Sequence, residues 1–107
     1  MNTVLLTVYG TLKDQPGFDY LGDVELNGKL FHFGEFPGAV DLGDPDNTFS
    51  AHVYSIPEYF LDTLDVYEGV EHGLYRRDTI DTPYGKSYIY IFNQAVPEGA
   101  LQIQEWR

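Results

Sequence analysis

Short runs of apolar and β-branched residues, separated by turn residues, dominate the hydrophobic pattern of this chain. Runs of this length and composition are typical of β-strands. The pair Asn27-Gly28 is a strong hairpin signal and predicts that the two runs beside it pair with each other. Residues 34–47 hold three Gly, two Pro and four Asp or Asn, which predicts a long loop. The predicted strands are residues 3–9, 23–26, 28–33, 49–56, 74–82, 86–93 and 101–106.

One segment, from Pro57 to Gly69, has the features of a helix. Pro is favoured in the first helical turn, and Gly commonly follows the last one. Between them Leu61, Leu64 and Glu68 are spaced i, i+3 and i+7, so all three share one helical face. The sequence therefore predicts one helix that packs on the core through its leucines.

One helix among six or seven short strands predicts an α+β fold. The length of 107 residues fits one domain, residues 1–107. We expect a small mixed β-barrel, closed or nearly closed, with the main helix packed on it, because closure hides the strand edges.

The position of Glu68 is unusual for a carboxylate. Its face is shared with Leu61 and Leu64, which predicts a place at the edge of the core, whereas Asp62 and Asp65 fall nearer the polar side. The partial negative charge of a helix C-terminus and burial both disfavour the anion, so both raise the pKa of Glu68 toward neutrality. A carboxylate in that range suits proton transfer. The alternative is that Glu68 extends into solvent at a frayed helix end.

Composition and charge exclude several classes of function. The chain has 17 acidic and 6 basic residues, a net charge of -11, so we expect no binding to nucleic acid or to anionic membranes. It has no Cys, which excludes disulfides and a thiolate nucleophile and fits a reducing, cytoplasmic location. The first twelve residues are typical of a strand rather than of a signal peptide or membrane span.

Metal and cofactor signals are absent from the sequence. His32, His52 and His72 lack metal-site spacing, so no metal is expected. No Gly-rich phosphate-binding loop is present, and we expect no cofactor. The serines lie in no nucleophile-elbow motif.

Two motifs, in this order, carry a family resemblance. The first is Tyr9-Gly10-Thr11-Leu12, directly after the first predicted strand, and the second is the segment LDVYEG at residues 64–69, with Tyr75 seven positions after Glu68. Together they resemble the γ-glutamylcyclotransferase family, also called AIG2-like. Weaker likenesses lie in GEFPG at residues 34–38, in YRR at 75–77 and in the tail 103–106.

The resemblance implies a small β-barrel flanked by helices and an intramolecular aminolysis that releases 5-oxoproline from a small γ-glutamyl substrate. It implies that Glu68 is the catalytic acid and base. It also implies that Tyr9, Gly10, Thr11, Leu12 and Tyr75 bind the substrate, the loop through its backbone N–H groups. For Arg76 and Arg77, neighbours on a strand, structural ion pairs are expected.

Three functions stay open at this point. One is an enzyme acting on γ-glutamyl amines or peptides. A second is a non-enzymatic binding module that holds an amino-acid-like ligand or a protein partner. A third is another acyl-transfer or lyase activity that uses the same Glu68.

Overall fold

The computed structural model describes residues 2–10 and 18–106. Along this part of the chain five strands precede the main helix and three follow it, with a 3₁₀ turn, Val70–His72, directly after the helix. The elements are β1 Thr3–Val8, β2 Asp19–Asn27, β3 Lys29–His32, β4 Pro37–Val40, β5 Thr48–Pro57, α1 Phe60–Tyr67, β6 Tyr75–Thr82, β7 Gly85–Phe92 and β8 Leu101–Ile103.

The larger sheet has five strands in the order β2-β5-β1-β7-β6. Its described pairs are antiparallel except for the central one, in which β1 and β7 run parallel from Leu5 opposite Ser87 to Thr7 opposite Ile89. The carboxyl ends of these two strands therefore lie at the same edge of the sheet. Because β6 is antiparallel to β7, its first residue, Tyr75, lies at that edge too.

The smaller sheet has three strands in the order β4-β3-β8. Its existence shows that the hairpin prediction at Asn27-Gly28 was wrong. Strand β2 pairs with β5 up to Asn27 opposite Thr48, whereas β3 pairs with β4 and β8. The chain passes from one sheet to the other at Gly28, where φ is 150°, and the N–H of Gly28 donates to the carbonyl oxygen of Asn47 at 2.9 Å.

The α+β prediction is confirmed, with one correction to the barrel. The described strands form two sheets rather than a closed barrel. A contact between its two outer strands shows that the larger sheet is nevertheless curled. Tyr84, in the turn between β6 and β7, packs against Gly22 of β2 so closely that a Cβ at Gly22 would overlap the Tyr84 hydroxyl. The predicted loop at residues 34–47 was also partly wrong, since β4 lies within it.

The helix lies between β5 and the 3₁₀ turn. The prediction that Pro57 opens the helix was wrong. Pro57 is instead the last residue of β5, where it pairs with Thr3 at the end of the strand ladder. Gly69 ends the helix as predicted, with a left-handed φ of 66°. None of the helices among the described residues is long and apolar enough to span a membrane.

Two apolar clusters lie on opposite faces of the larger sheet. The first joins Leu61 and Leu64 of α1 to the sheet residues Leu6, Tyr54 and Ile56. The second joins the two sheets, and its buried members are Tyr9, Leu30, Ala39, Phe49, Ala51, Ile89 and Ile91. The predicted burial of the two helix leucines is thus confirmed.

The crossing at Gly28 gives a stability prediction. A Cβ at Gly28 would lie 3.0 to 3.2 Å from Leu42, Phe49 and the carbonyl oxygen of Val40, and its φ disfavours any other residue. We expect Gly28→Ala to lower the free energy of unfolding by about 2–3 kcal/mol, measured by urea unfolding. Gly43→Ala is the control, since Gly43 has a φ of 95° but nothing within 4 Å of its added Cβ. Equal losses in both variants would show that packing at the crossing contributes nothing.

Candidate active site

A cavity of about 310 Å³ opens at the sheet edge where β1 and β7 end. This volume is at the lower end of the range for small-molecule sites. Its walls come from the end of β1, the loop before β4, the end of α1 and the start of β6. The lining residues are Thr7, Val8, Tyr9, Gly10, Phe36, Pro37, Tyr67, Glu68, Leu74, Tyr75 and Tyr90.

Glu68 lies at the C-terminal end of α1, where it is the C-cap residue, and it faces the cavity. Burial raises its pKa from 4.5 to about 7. No hydrogen bond or ion pair to its carboxylate comes from the described residues, so little offsets the loss of water. The partial negative charge at the C-terminal end of the helix also raises the pKa of Glu68. Near neutral pH this group is therefore divided between its acid and its base form.

Tyr9 and Tyr75 both line the cavity beside Glu68, but their hydroxyl hydrogens are already used. The Tyr9 hydroxyl donates to the carbonyl oxygen of Tyr90 at 2.6 Å and accepts from the N–H of Ala39 at 3.2 Å. The Tyr75 hydroxyl donates to the carbonyl oxygen of Pro37 at 2.5 Å. Burial raises the pKa of both phenols, and the charge of Glu68 adds to the effect. They act in the structure as neutral, fixed walls.

Gly10 is buried at the cavity, directly after β1 and Tyr9. A Cβ at this position would overlap the ring of Pro37, so the Gly is required for packing between the β1 end and the β4 loop. The backbone at Gly10 therefore lies close against Pro37 of the same protein. Thr11 and Leu12, the other two predicted binding residues of the loop, lie outside the described residues.

Asp65 was predicted to lie nearer the polar side of the helix, but its carboxylate is bonded to two neighbouring strands. Its carboxylate accepts from the Tyr90 hydroxyl at 2.6 Å and from Arg77 at 3.0 and 3.2 Å. The Arg77 guanidinium also lies over the ring of Tyr88, 5.1 Å from its centre. This network ties α1 to β6 and β7, one turn before Glu68. The expected ion pairs of the adjacent arginines are confirmed, since Arg76 also lies 3.7 Å from Asp78.

The histidines lie apart from the cavity. His32 packs on Trp106, and His52 lies 3.3 Å from Asp23. His72 is exposed. Across residues 2–10 and 18–106, no group of three or more possible ligands could hold a metal ion.

Sequence reasoning missed several residues of the cavity wall. Tyr90 belongs to β7, whose last four residues are all buried, and nothing in its neighbours along the chain marks it. Phe36 and Pro37 stand in the GEFPG segment, which carried a weak family likeness but no assigned role. Tyr67 directly precedes Glu68, and Leu74 directly precedes Tyr75. This adjacency to two predicted site residues was the signal that could have found them.

Comparison with protein families agrees with this geometry. The family model described as "Gamma-glutamyl cyclotransferase, AIG2-like" matches residues 6–107. The chain belongs to this family. The resemblance carried by the YGTL and LDVYEG motifs is thereby confirmed.

One bacterial relative and two solved structures illustrate what this AIG2-like chain is similar to. The Gamma-glutamylcyclotransferase family protein YtfP of Escherichia coli K12 is 35% identical over 98 residues, covering 83% of this chain and 82% of that protein. The solution NMR structure of YtfP superposes with a TM-score of 0.76 at 31% identity, covering 95% of this chain and 93% of that one. A mouse AIG2-like protein gives a TM-score of 0.81 at 19% identity, covering 100% and 90%, which shows the fold alone.

The raised pKa of Glu68 predicts a pH-dependent difference in stability between this protein and Glu68→Gln. The unfolded carboxyl ionises near pH 4.5, but the folded one keeps its proton until about pH 7. The wild-type protein therefore loses stability as pH rises from about 4.5 to 7, whereas the amide of the variant does not titrate. We expect the two melting temperatures to be similar at about pH 4.5, and the variant to melt higher above about pH 7.

The matched control is Asp62→Asn, which removes an exposed carboxylate from the same helix. Its melting temperature, measured over the same pH series, should follow that of the wild type without the divergence. Parallel curves for Glu68→Gln and wild type would contradict the buried, proton-retaining state of Glu68.

The Asp65 network predicts a loss of stability on Asp65→Asn. The amide keeps the shape but loses the charge that holds both the Tyr90 hydroxyl and Arg77. Because these contacts are partly exposed, we expect a loss of about 1–2 kcal/mol in the free energy of unfolding. Urea unfolding checks this near neutral pH, with Asp62→Asn as the control. A loss no larger than that of the control would mean that the network does not fasten the helix.

Proposed function

We propose that this protein is a γ-glutamylcyclotransferase that releases 5-oxoproline from a γ-glutamyl amine or peptide. The observation that carries the proposal is a half-buried carboxylate, Glu68, whose pKa is raised to about 7 inside a small cavity of a γ-glutamylcyclotransferase-family fold. Strongly perturbed titratable groups in a concave site are typical of catalytic acids and bases. We further propose a cytoplasmic location, which the Cys-free sequence supports.

The proposed reaction is an intramolecular aminolysis. The substrate's α-amine attacks its own γ-carbonyl carbon, a new C–N bond closes the five-membered ring, and the bond to the leaving amine breaks. Starting from the α-ammonium, two protons leave the attacking nitrogen and two are taken up by the departing nitrogen, which leaves as an ammonium, so the reaction needs no external reactant. Holding the chain in a folded-back conformation supplies much of the rate enhancement in reactions of this kind.

Glu68 is the group proposed to move the proton. A substrate α-ammonium has a pKa of roughly 8 or higher, above that of Glu68, so near neutral pH it cannot attack until a base takes a proton from it. The ionised Glu68 takes the proton from the α-ammonium and then gives it to the leaving amine. The neutral walls provided by Tyr9 and Tyr75 keep the carboxylate in a poorly hydrated site, which maintains its raised pKa.

The remaining catalytic requirement is a set of donors for the oxyanion of the tetrahedral intermediate. We propose the backbone N–H groups of residues 10–12 for this role, because the YGTL loop begins at the cavity wall. The same groups could hold the α-carboxylate of the substrate instead. Tyr9 and Tyr75 would contact the γ-glutamyl group through their rings and hydroxyl oxygens rather than by donating hydrogen bonds.

The proposal predicts the effect of Glu68→Gln on turnover. Purified protein is first screened for 5-oxoproline release from glutathione, γ-glutamyl amino acids and γ-glutamyl-ε-lysine. With the substrate found, we expect Glu68→Gln to lower kcat by roughly 10²–10⁴-fold, the usual contribution of positioned proton transfer. Substrate affinity should fall much less, since the amide fills the same space.

Asp62→Asn is again the control and should keep wild-type turnover. Asp65→Asn is unsuitable as a control because Asp65 is bonded to the cavity residue Tyr90. Equal turnover in wild type and Glu68→Gln would refute the role of Glu68. Binding of γ-glutamyl compounds without turnover by the wild type would favour the binding module over the enzyme.

A further inference from the structure

Three large side chains at the mouth of the cavity are exposed to solvent to different degrees. Tyr67 is 61% exposed, Phe36 38% and Leu74 37%, and all three line the cavity. We call these three residues the rim. Exposed large apolar side chains grouped at one concave site are typical of binding surfaces.

Two of the three rim residues, Phe36 and Leu74, are held in place by their neighbours. The Phe36 ring packs against Phe33 at 5.6 Å and edge-on to Tyr75 at 6.5 Å between ring centres. The Leu74 backbone is fixed on both sides, since its N–H donates to Gly69 and its carbonyl oxygen accepts from Asn93. A preformed surface of this kind loses little conformational entropy when a ligand binds.

The charge of the site also favours a neutral, apolar ligand group. Glu68 is the single charged side chain among the described residues that line the cavity, and it is acidic. The whole chain carries a net charge of -11. A ligand group at the rim that carried a carboxylate would therefore meet like charge, and an apolar neutral group would not.

The size of the cavity decides which part of a substrate reaches the rim. With about 310 Å³, the cavity suits a small group such as the γ-glutamyl head, whose reacting carbonyl must lie near Glu68. Since the leaving amine is attached to that carbonyl, it must extend from the γ-glutamyl head toward the cavity mouth, where Phe36, Tyr67 and Leu74 lie.

We propose that the rim binds the leaving amine and selects γ-glutamyl amides whose amine carries a neutral apolar group, above all an aromatic one. This inference rests on the proposed function and adds the substrate class. Apolar contact and offset or edge-on ring packing with Phe36 and Tyr67 provide the affinity. Glutathione and γ-glutamylglycine, whose leaving amines carry carboxylates, are poor substrates in this scheme.

The test uses four compounds that vary size and charge independently. They are γ-glutamylmethylamide, γ-glutamylbenzylamide, γ-glutamylglycine and γ-glutamylphenylalanine. The readouts are kcat/KM for 5-oxoproline release by the wild-type protein and the dissociation constant for Glu68→Gln. We expect the benzylamide to give a kcat/KM about tenfold higher and a dissociation constant about tenfold lower than the methylamide. Each added carboxylate should lower kcat/KM and raise the dissociation constant.

Rim variants separate binding by the rim from the intrinsic reactivity of each amide. Phe36→Ala and Tyr67→Ala should each reduce the ratio of benzylamide to methylamide to about twofold, while the intrinsic reactivity of the two amides is the same for every variant. Tyr59→Ala is the matched control, because Tyr59 is a 65% exposed aromatic residue that stacks on Phe60 and does not line the cavity. It should leave the ratio unchanged.

The outcomes distinguish the two proposals. Turnover or binding with no preference for the benzylamide, or a preference that survives both rim variants, overturns the inference about the rim alone. A preference for γ-glutamylglycine over the methylamide does the same. Failure of all four compounds both to react and to bind overturns the proposed function, and the rim inference with it.

Discussion

The parallel pairing of β1 with β7 is the contact on which the candidate site depends. Since the two strands run in the same direction, their carboxyl ends share one edge of the sheet, and Tyr9 and Gly10, which begin the YGTL motif, follow β1 there. Strand β6 begins beside the end of β7, which brings Tyr75 to the same edge. The end of α1 is joined to β6 by a short connection, so Glu68 must lie nearby. With antiparallel pairing, the YGTL motif and Tyr75 would lie at opposite ends of the sheet.

The walls of this site are built to hold one carboxylate in a poorly hydrated place. The Tyr9 hydroxyl joins β4 to β7, and the Tyr75 hydroxyl holds the loop at Pro37, so the two phenols fix the cavity shape. The Asp65 network fastens the helix one turn before its end. These contacts offset the cost of burying Glu68, and that cost is what raises its pKa. Part of the stability of the fold is therefore given up to keep a titratable carboxylate near neutrality.

Local pattern was a good guide wherever the decisive contacts were close in sequence. The spacing of Leu61, Leu64 and Glu68 placed the two leucines correctly in the core and Glu68 at its edge, and Gly69 marked the helix end. The turn between β6 and β7 was predicted for the same reason. The hairpin at Asn27-Gly28 failed because turn propensity is worth little against the long strand β5, which pairs with β2 instead. Pro57 similarly fits a strand end as well as a helix start.

The sequence by itself determined the α+β class, the family and the position of the candidate carboxylate, because periodicity and motif order are properties of neighbouring residues. It also determined the direction of the Glu68 pKa shift, since a helix end and an apolar face both disfavour an anion. Only the tertiary structure decided that two sheets form instead of a closed barrel. It alone revealed that Asp65 is held by Arg77 and Tyr90, and that Phe36, Tyr67 and Leu74 form the rim. These contacts join segments far apart in the chain, and no local pattern records which distant segments will meet.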